Sequence, residues 1–355
     1  MRAAAQLVGT AARSAEAAPA LVVEGLSVDI ALPHGTLHAV NDVSFSVRAG
    51  ETLCIVGESG CGKTITSLAL MHLLPRQARR TARALQLEGR DLRNASEKEM
   101  ALLRGNRIGM IFQDPMTSLN PVYTIGNQLE EVYLRHRRSS RAEARERAEY
   151  LLERVGISSP AMRLAQYPHQ LSGGLRQRMM IAMTLMCGPS VLIADEPTTA
   201  LDVTVQAEIL RLFADLQSEF NLAIILITHD LGIVARIGSS VAVMYGGRVV
   251  EAGRVADVFH APQHPYTQGL LDCIPVPGTA RQQHRLGSIP GLVPSLVGEQ
   301  KGCSFRNRCS HALAECKDGL IALRDVQPGW GYRCVLPPDP AGRHGKAVPA
   351  SLVAV

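Results

Sequence analysis

Short apolar runs, each closed by glycine or proline, alternate along this chain with stretches of helical spacing. Leu21 to Ile30 and Leu37 to Val47 read as strands parted by a Pro33-His34-Gly35 turn. Ala49-Gly50 turns the chain into a further strand ending at Ile55-Val56, and an apolar-periodic helix is expected from Ser67 to Leu74. Pro75 and a basic stretch, Arg76 to Arg83, interrupt the pattern before small strands at Leu85 to Leu87 and Ile108 to Phe112. From Thr124 to Met186 the spacing is mostly helical, as in Arg141 to Arg154. Strand character returns at Val191 to Ala194, Leu222 to Thr228 and Val241 to Tyr245, with an amphipathic helix over Val203 to Glu219. Strands alternating with helices predict an α/β fold with a largely parallel sheet covered on both faces. After Ala261 prolines and glycines become dense and periodicity fades. The expected division is a disordered lead-in at 1–20, a main domain at 21–260 with a helical insertion at about 124–186, a loop-rich region at 261–336 and a flexible tail at 337–355.

Composition narrows the class. Of 355 residues, 46% are apolar and 19% charged, enough for a substantial core. A formal charge of +5 is too small a basic footprint for nucleic acid, and Arg135, Arg137 and Arg138 read as a solvated helix face. No apolar run approaches the roughly 18 residues of a membrane span. Met1 to Ala20 lacks the continuous apolar core of a secretory signal, and a transit peptide is the other reading of it. Cytosolic placement is the simplest expectation.

The candidate chemistry begins at Ile55-Val56-Gly57-Glu58-Ser59-Gly60-Cys61-Gly62-Lys63-Thr64, where Gly57, Gly62, Lys63 and Thr64 complete the G-x-x-x-x-G-K-[ST] pattern of a phosphate-binding loop. Glycines let the backbone aim successive N–H groups at phosphate oxygens, and the following helix adds its positive end. Lys63 can reach the β- and γ-phosphates, and the Thr64 hydroxyl can ligate Mg²⁺. Val191 to Ala194 then delivers Asp195 and Glu196 to a strand end, as a Mg²⁺ carboxylate (direct or through water) and a general base. Before the helix that runs through Met186, Ser172 can cap while Gly173 and Gly174 expose amides, making a second anion-binding helix start. One nucleotide per phosphate loop and two such starts invite a sandwich of two subunits.

Together with Gln113, Leu171-Ser172-Gly173-Gly174, Ala200-Leu201-Asp202 and His229, these motifs resemble the nucleotide-binding subunit of an ABC transporter over about Leu21 to Phe259. The resemblance implies a P-loop NTPase (RecA-like) core with an N-terminal antiparallel β subdomain and the helical insertion. It implies that Gln113 contacts Mg²⁺ or water and relays motion to a membrane subunit. Ser172, Gly173 and Gly174 would bind the partner's γ-phosphate. Asp202 would link the two sites of the dimer, and His229 would hold the γ-phosphate and the catalytic water. Two positions depart from the family pattern. Leu175 stands where glutamine usually continues the signature, as is common in peptide importers. Leu21 to Ser44 also holds no aromatic to stack on adenine, leaving Ile30, His34 or His38 as substitutes.

The Phe112 to Pro121 run, His264 to Leu271, Ile289 to Leu296 and Gly302 to Cys309 resemble the oligopeptide/dipeptide importer branch. That branch implies two transmembrane permease subunits, a second and paralogous ATPase, an extracytoplasmic substrate-binding protein and a peripheral place on the cytoplasmic face of the bacterial inner membrane. Nickel and glutathione importers share the design. Of eight cysteines, Cys303, Cys309, Cys316 and Cys334 cluster. Their spacing matches neither common zinc pattern, and in a reducing cytosol such a cluster suggests metal before disulfides. Four thiolates suit a [4Fe–4S] cluster, and importer subunits with this tail resemble proteins that carry one, with zinc or unligated structural cysteines as alternatives. A soluble ABC-type ATPase acting on DNA or ribosomes would usually carry a long coiled-coil insertion or two cassettes. A nucleotide-gated regulator without turnover would need neither Glu196 nor His229.

Overall fold

The computed structural model describes residues 18–113, 118–199, 202–274 and 288–339, which divide into two compact units. The first comprises the chain through Asn94 and from Thr228 onward, and the second runs from Ala95 to Ile227.

The first unit opens with a long hairpin, β1 (Leu21–Leu32) and β2 (Gly35–Val47), paired antiparallel with Leu32 opposite Gly35. Val23, Leu26, Val28, Val40, Val43 and Phe45 are buried along it. β3 (Thr52–Val56) is buried at every residue and leads into α1 (Lys63–Leu70). The helix thus begins four residues before the apolar periodicity does. Its first turn is the phosphate loop itself, whose polar residues hide the helix from a hydrophobic pattern. It also ends early, at His72 (φ 54), where the His72 N–H donates to the Ala69 carbonyl and the Leu73 N–H to that of Leu68, the Schellman arrangement.

The basic stretch expected as an interruption contains a strand, β4 (Ala78–Thr81), paired antiparallel with β1. Arg80 explains it, because its guanidinium donates to the carbonyls of Ala69, Leu92 and Arg93, a use of arginine that charge patterning reads as solvent exposure. β5 (Ala84–Leu87) and β6 (Arg90–Asp91) complete that sheet in the order β2-β1-β5-β6.

The second unit contains α2 (Glu97–Leu103), opened by a capping box between Ser96 and Glu99. β7 (Ile108–Ile111) pairs parallel with β8 (Val191–Asp195), which pairs parallel with β9 (Ala223–Thr228), and all three are buried throughout. Such runs are apolar without alternation because both faces of a parallel strand are covered. Four helices fill the segment expected to be helical: α3 (Ile125–His136), α4 (Arg141–Arg154), α5 (Pro160–Leu164) and α6 (Gly173–Leu185). α7 (Val203–Phe220) follows β8.

Back in the first unit, α8 (Leu231–Ile237) leads to β10 (Ser240–Tyr245), parallel to β3, and β11 (Arg248–Arg254), antiparallel to β10. Two short helices, α9 (Val255–His260) and α10 (Pro265–Asp272), follow. The loop-rich region then returns two strands, β12 (Arg324–Gln327) and β13 (Trp330–Tyr332), and β13 pairs with β11. Those strands are too short to announce themselves by periodicity, and β12 is largely polar and exposed. Among the described residues no helix is long and apolar enough to cross a membrane.

One buried carboxylate stitches this region together. Glu251 on β11 is fully buried and accepts hydrogen bonds from the Gln263 and His264 N–H groups and from Trp330 Nε1. Burial raises its pKa from 4.5 to about 7, and burial lowers that of the adjacent His264 from 6.5 to about 3. Between pH 4.5 and 6.5 the folded pair holds one proton on Glu251, while the unfolded pair holds one on His264, so the two cancel in the pH dependence of stability. Glu251→Gln removes the carboxylate and leaves His264 uncompensated. Its stability should rise with pH across that window, by up to about 1.4 kcal/mol per pH unit more steeply than wild type. Melting temperatures of both proteins at pH 5 and 6.5 measure it, and parallel profiles would contradict it.

Candidate nucleotide site

The turn between β3 and α1 is fixed by backbone sterics. Gly57 (φ 155) and Gly62 (φ 103) lie where a Cβ would meet the Met244 carbonyl oxygen at 2.2 Å and the Ala39 carbonyl oxygen at 2.4 Å. Both positions therefore demand glycine for space as well as for conformation. Within the loop the Cys61 N–H donates to the Glu58 carbonyl, and Lys63 Nζ, buried, donates to the carbonyls of Gly57 (2.8 Å) and Glu58 (3.2 Å). The ammonium is thereby held over the turn. Ser59, Gly60 and Thr64 are exposed at its surface, while Cys61 is buried and burial pushes its thiol pKa up. A buried, raised thiol is inert packing.

Residue 58 is fastened from the loop-rich region. The Glu58 N–H donates to Tyr266 Oη at 2.9 Å, and Arg308 donates to both carboxylate oxygens, at 2.5 and 3.0 Å. Neither partner was singled out from sequence. Tyr266 and Arg308 stand 208 and 250 residues from Glu58, and no local pattern reports a contact at that separation.

In the second unit β8 ends at Asp195, which is buried, and Glu196 follows with φ 46. A non-glycine residue in the left-handed region is held by its surroundings. Here the Glu196 N–H donates to the Ile227 carbonyl at the end of β9, and Thr199 Oγ1 donates to Glu196 Oε2 at 2.9 Å. Gln113 Nε2 donates to the same Oε2 at 3.3 Å, so two residues singled out 83 positions apart do meet. Thr199 was missed, although a hydroxyl three residues past the acid was visible.

Ser172 caps α6 by accepting from the Leu175 N–H, and Ser172 and Gly173 are exposed. Asp202 caps α7 by accepting from the Val205 N–H at 2.9 Å. His229, exposed, follows β9 in the first unit. Of the adenine-stacking substitutes, His38 is engaged with Asp29 at 2.6 Å, opposite it in the hairpin register. Asp114 to Thr117 and Ala200-Leu201 lie outside the described residues.

Comparison with known proteins assigns the family. Residues 40–199 match the model of ABC transporters, and residues 250–316 match the C-terminal region of oligopeptide/dipeptide transporters. The dipeptide transport ATP-binding protein DppD of Escherichia coli is 48% identical over 91% of this chain and 98% of that protein. The oligopeptide transport ATP-binding protein OppD of Salmonella typhimurium is 50% identical over 89% and 93%. This chain belongs to the ATP-binding subunits of ABC transporters. Members bind ATP, with Mg²⁺ as its partner ion, and hydrolyse it. Solved cassettes share the fold. One is cbiO1 of Clostridium perfringens, part of an ABC transporter complex (30% identity, TM-score 0.59, 68% of this chain and 90% of that one). Another is a dimeric cassette bound to ADP and Pi (24% identity, TM-score 0.60, 66% and 98%).

The expected cysteine ligands are a separate matter. Cys303, Cys309, Cys316 and Cys334 form no disulfide, and the Cys303 N–H donates to the Cys316 carbonyl at 2.9 Å. Burial first, then neighbouring thiols of the same four, raises the pKa of Cys303, to about 11, and of Cys334. The donor chemistry is all thiol. Yet among the described residues no three His, Cys, Asp or Glu side chains are grouped as ligands of one metal ion.

The loop geometry makes a prediction. Gly60 (φ 79) meets nothing within 4 Å of a Cβ, whereas Gly62 meets the Ala39 carbonyl. Gly60→Ala should cost only backbone strain, about 1–2 kcal/mol. Gly62→Ala should lower the melting temperature further and lose nucleotide binding, as thermal melting with and without MgATP would register. Equal effects of the two substitutions would contradict it.

Proposed function

We propose that this ABC ATPase drives a membrane importer of di- or oligopeptides from the cytoplasmic face of the bacterial inner membrane. The match of residues 250–316 to the oligopeptide/dipeptide transporter C-terminal region carries the substrate class, supported by relatives at about half identity that are named for peptide transport. Its partners in this reading are two permease subunits, a paralogous second ATPase and an extracytoplasmic substrate-binding protein.

In the proposed cycle amides of the Gly57 to Gly62 turn, other than the bonded ones of Glu58 and Cys61, cradle the phosphates, and Lys63 neutralises the β- and γ-phosphates. Thr64 and Asp195 hold Mg²⁺, with Gln113 touching it or its water. Glu196 takes a proton from the attacking water, and His229 holds that water against the γ-phosphate. The hydrogen bond between Gln113 and Glu196 supports giving these two one water to share. Exposed Ser172 and Gly173, at the start of a capped helix, suit a partner's γ-phosphate together with Gly174, and Asp202 would link the two sites of the dimer. Closure of two ATPases on ATP would turn the permeases, and hydrolysis would reset them.

The test is Glu196→Gln in the expressed transporter. The variant should bind ATP, lose turnover by at least about 100-fold and co-purify as a closed complex with two permeases and a second ATPase. Turnover at the wild-type rate would remove Glu196 from its role. Isolation without permeases would sink the importer.

A second reading concerns Cys303, Cys309, Cys316 and Cys334, for which we propose a [4Fe–4S] cluster. The all-thiol donor set supports it, as does the proximity of its members: the Cys303 N–H donates to the Cys316 carbonyl, and the other thiols of the four help to raise the pKa of Cys303 and Cys334. Bound there, the cluster would supply covalent cross-links to residues 288–339, whose buried apolar side chains besides cysteines are Leu296, Phe305, Ile321, Trp330 and Tyr332. Anaerobically purified protein should be brown, with broad absorbance near about 400 nm. Colourless protein with one zinc per chain would overturn the proposal.

A further inference from the structure

Arg308 is a side chain without a part in the cycle above, yet it is among the most completely bonded in the molecule. Its side chain is 5% exposed and all five guanidinium N–H groups have acceptors. Nε donates to the Pro290 carbonyl, Nη1 to Glu58 Oε2 and Tyr245 Oη, and Nη2 to Glu58 Oε1 and the Ile289 carbonyl. The plane lies 5.8 Å from the Tyr245 ring centre and 6.0 Å from that of Phe305, in contact with a cluster that also includes Tyr266. The short turn that presents it, Arg306 to Arg308, is bounded by Cys303 and Cys309.

That much organisation is aimed at one residue of the phosphate loop. Arg308 clamps the Glu58 carboxylate with two parallel bonds, the geometry that fixes direction as well as distance. Tyr266 takes the Glu58 N–H. With its side chain and N–H both held, residue 58 has little freedom to rotate. Its carbonyl is then a fixed acceptor for Lys63 Nζ and the Cys61 N–H. The lysine that meets the phosphates therefore hangs on a carbonyl whose orientation is set outside the loop. We propose that Arg308, with Tyr266, is a positioning residue for ATP: the C-terminal region holds Glu58 so that the loop and Lys63 are preorganised for the phosphates.

This inference rests on assigning Gly57 to Thr64 to ATP. Without the clamp the loop must be ordered by the nucleotide itself, and that cost weakens binding. Because the clamp touches neither water nor γ-phosphate, its loss should appear in KM more than in kcat. In the full-length chain, Arg308→Ala and Glu58→Gln should each weaken binding of a fluorescent ATP analogue by roughly tenfold, the order expected for freeing one backbone residue. The double variant should be no worse than either alone, since both break the same contact. Arg308→Lys, which keeps the charge without the fork, should recover part of the loss.

In the assembled transporter KM for MgATP should rise by a similar factor, with kcat changed less than about threefold. Melting temperatures report folding. If Arg308→Ala does not fold, Glu58→Gln and Arg308→Lys read the same contact. Affinity within twofold of wild type in folded variants, or additive losses in the double variant, would overturn the role of Arg308 and leave the ATP site standing. A wild-type chain that binds no nucleotide would overturn the site assignment and this inference with it.

Discussion

A turn that offers amides to phosphate cannot pair all of them with the rest of the protein. With only the Glu58 and Cys61 amides seen bonded, the backbone from Gly57 to Lys63 depends largely on other supports: positive φ at Gly57 and Gly62, the close approach of the Met244 and Ala39 carbonyls, and Lys63 bonded back to Gly57 and Glu58. Much of the first unit is explained by that requirement. β3 and β10 run parallel beside the turn, so the strand entering the loop and the strand supplying Met244 are in register from Leu53 to Val56. Gly247 at the following turn donates to the Cys61 carbonyl and accepts from Asn41.

The second unit meets a related constraint with different means. Asp195 is buried at the end of a strand with covered neighbours on both sides, a place where a carboxylate is costly unless something satisfies it. Glu196 is held in a left-handed conformation by the Ile227 carbonyl and shares an oxygen between Thr199 and Gln113. Rigid strands deliver the acids, and the next residue turns sharply to present its side chain.

The loop-rich region shows how a segment with little core attaches to a large one. It pairs β13 to β11, buries Trp330 against Glu251 and sends Arg308 to the phosphate loop. Polar contacts replace apolar area, and each is satisfied by several partners, as buried polar groups must be. The same region carries the match to oligopeptide/dipeptide transporters, so what sets this branch apart is fastened to what every ABC ATPase shares.

Sequence by itself determined the elements whose cause is local. Unbroken apolar runs marked β3, β8 and β9, because strands buried on both faces have no polar side to alternate. The loop at Gly57 to Thr64 was legible because its backbone demands glycines at fixed intervals, and Ser172 because a helix start needs a cap. β4 and β13 were not legible. Arg80 and Trp330 stabilise them through bonds to distant carbonyls and carboxylates. Nor could periodicity show that Glu58, which reads as one of the four variable positions of the loop, is clamped by Tyr266 and Arg308 from the far end of the chain. Only the tertiary structure decides such contacts, because a buried charge finds its partner by geometry, and geometry at 250 residues' separation leaves no spacing in the sequence.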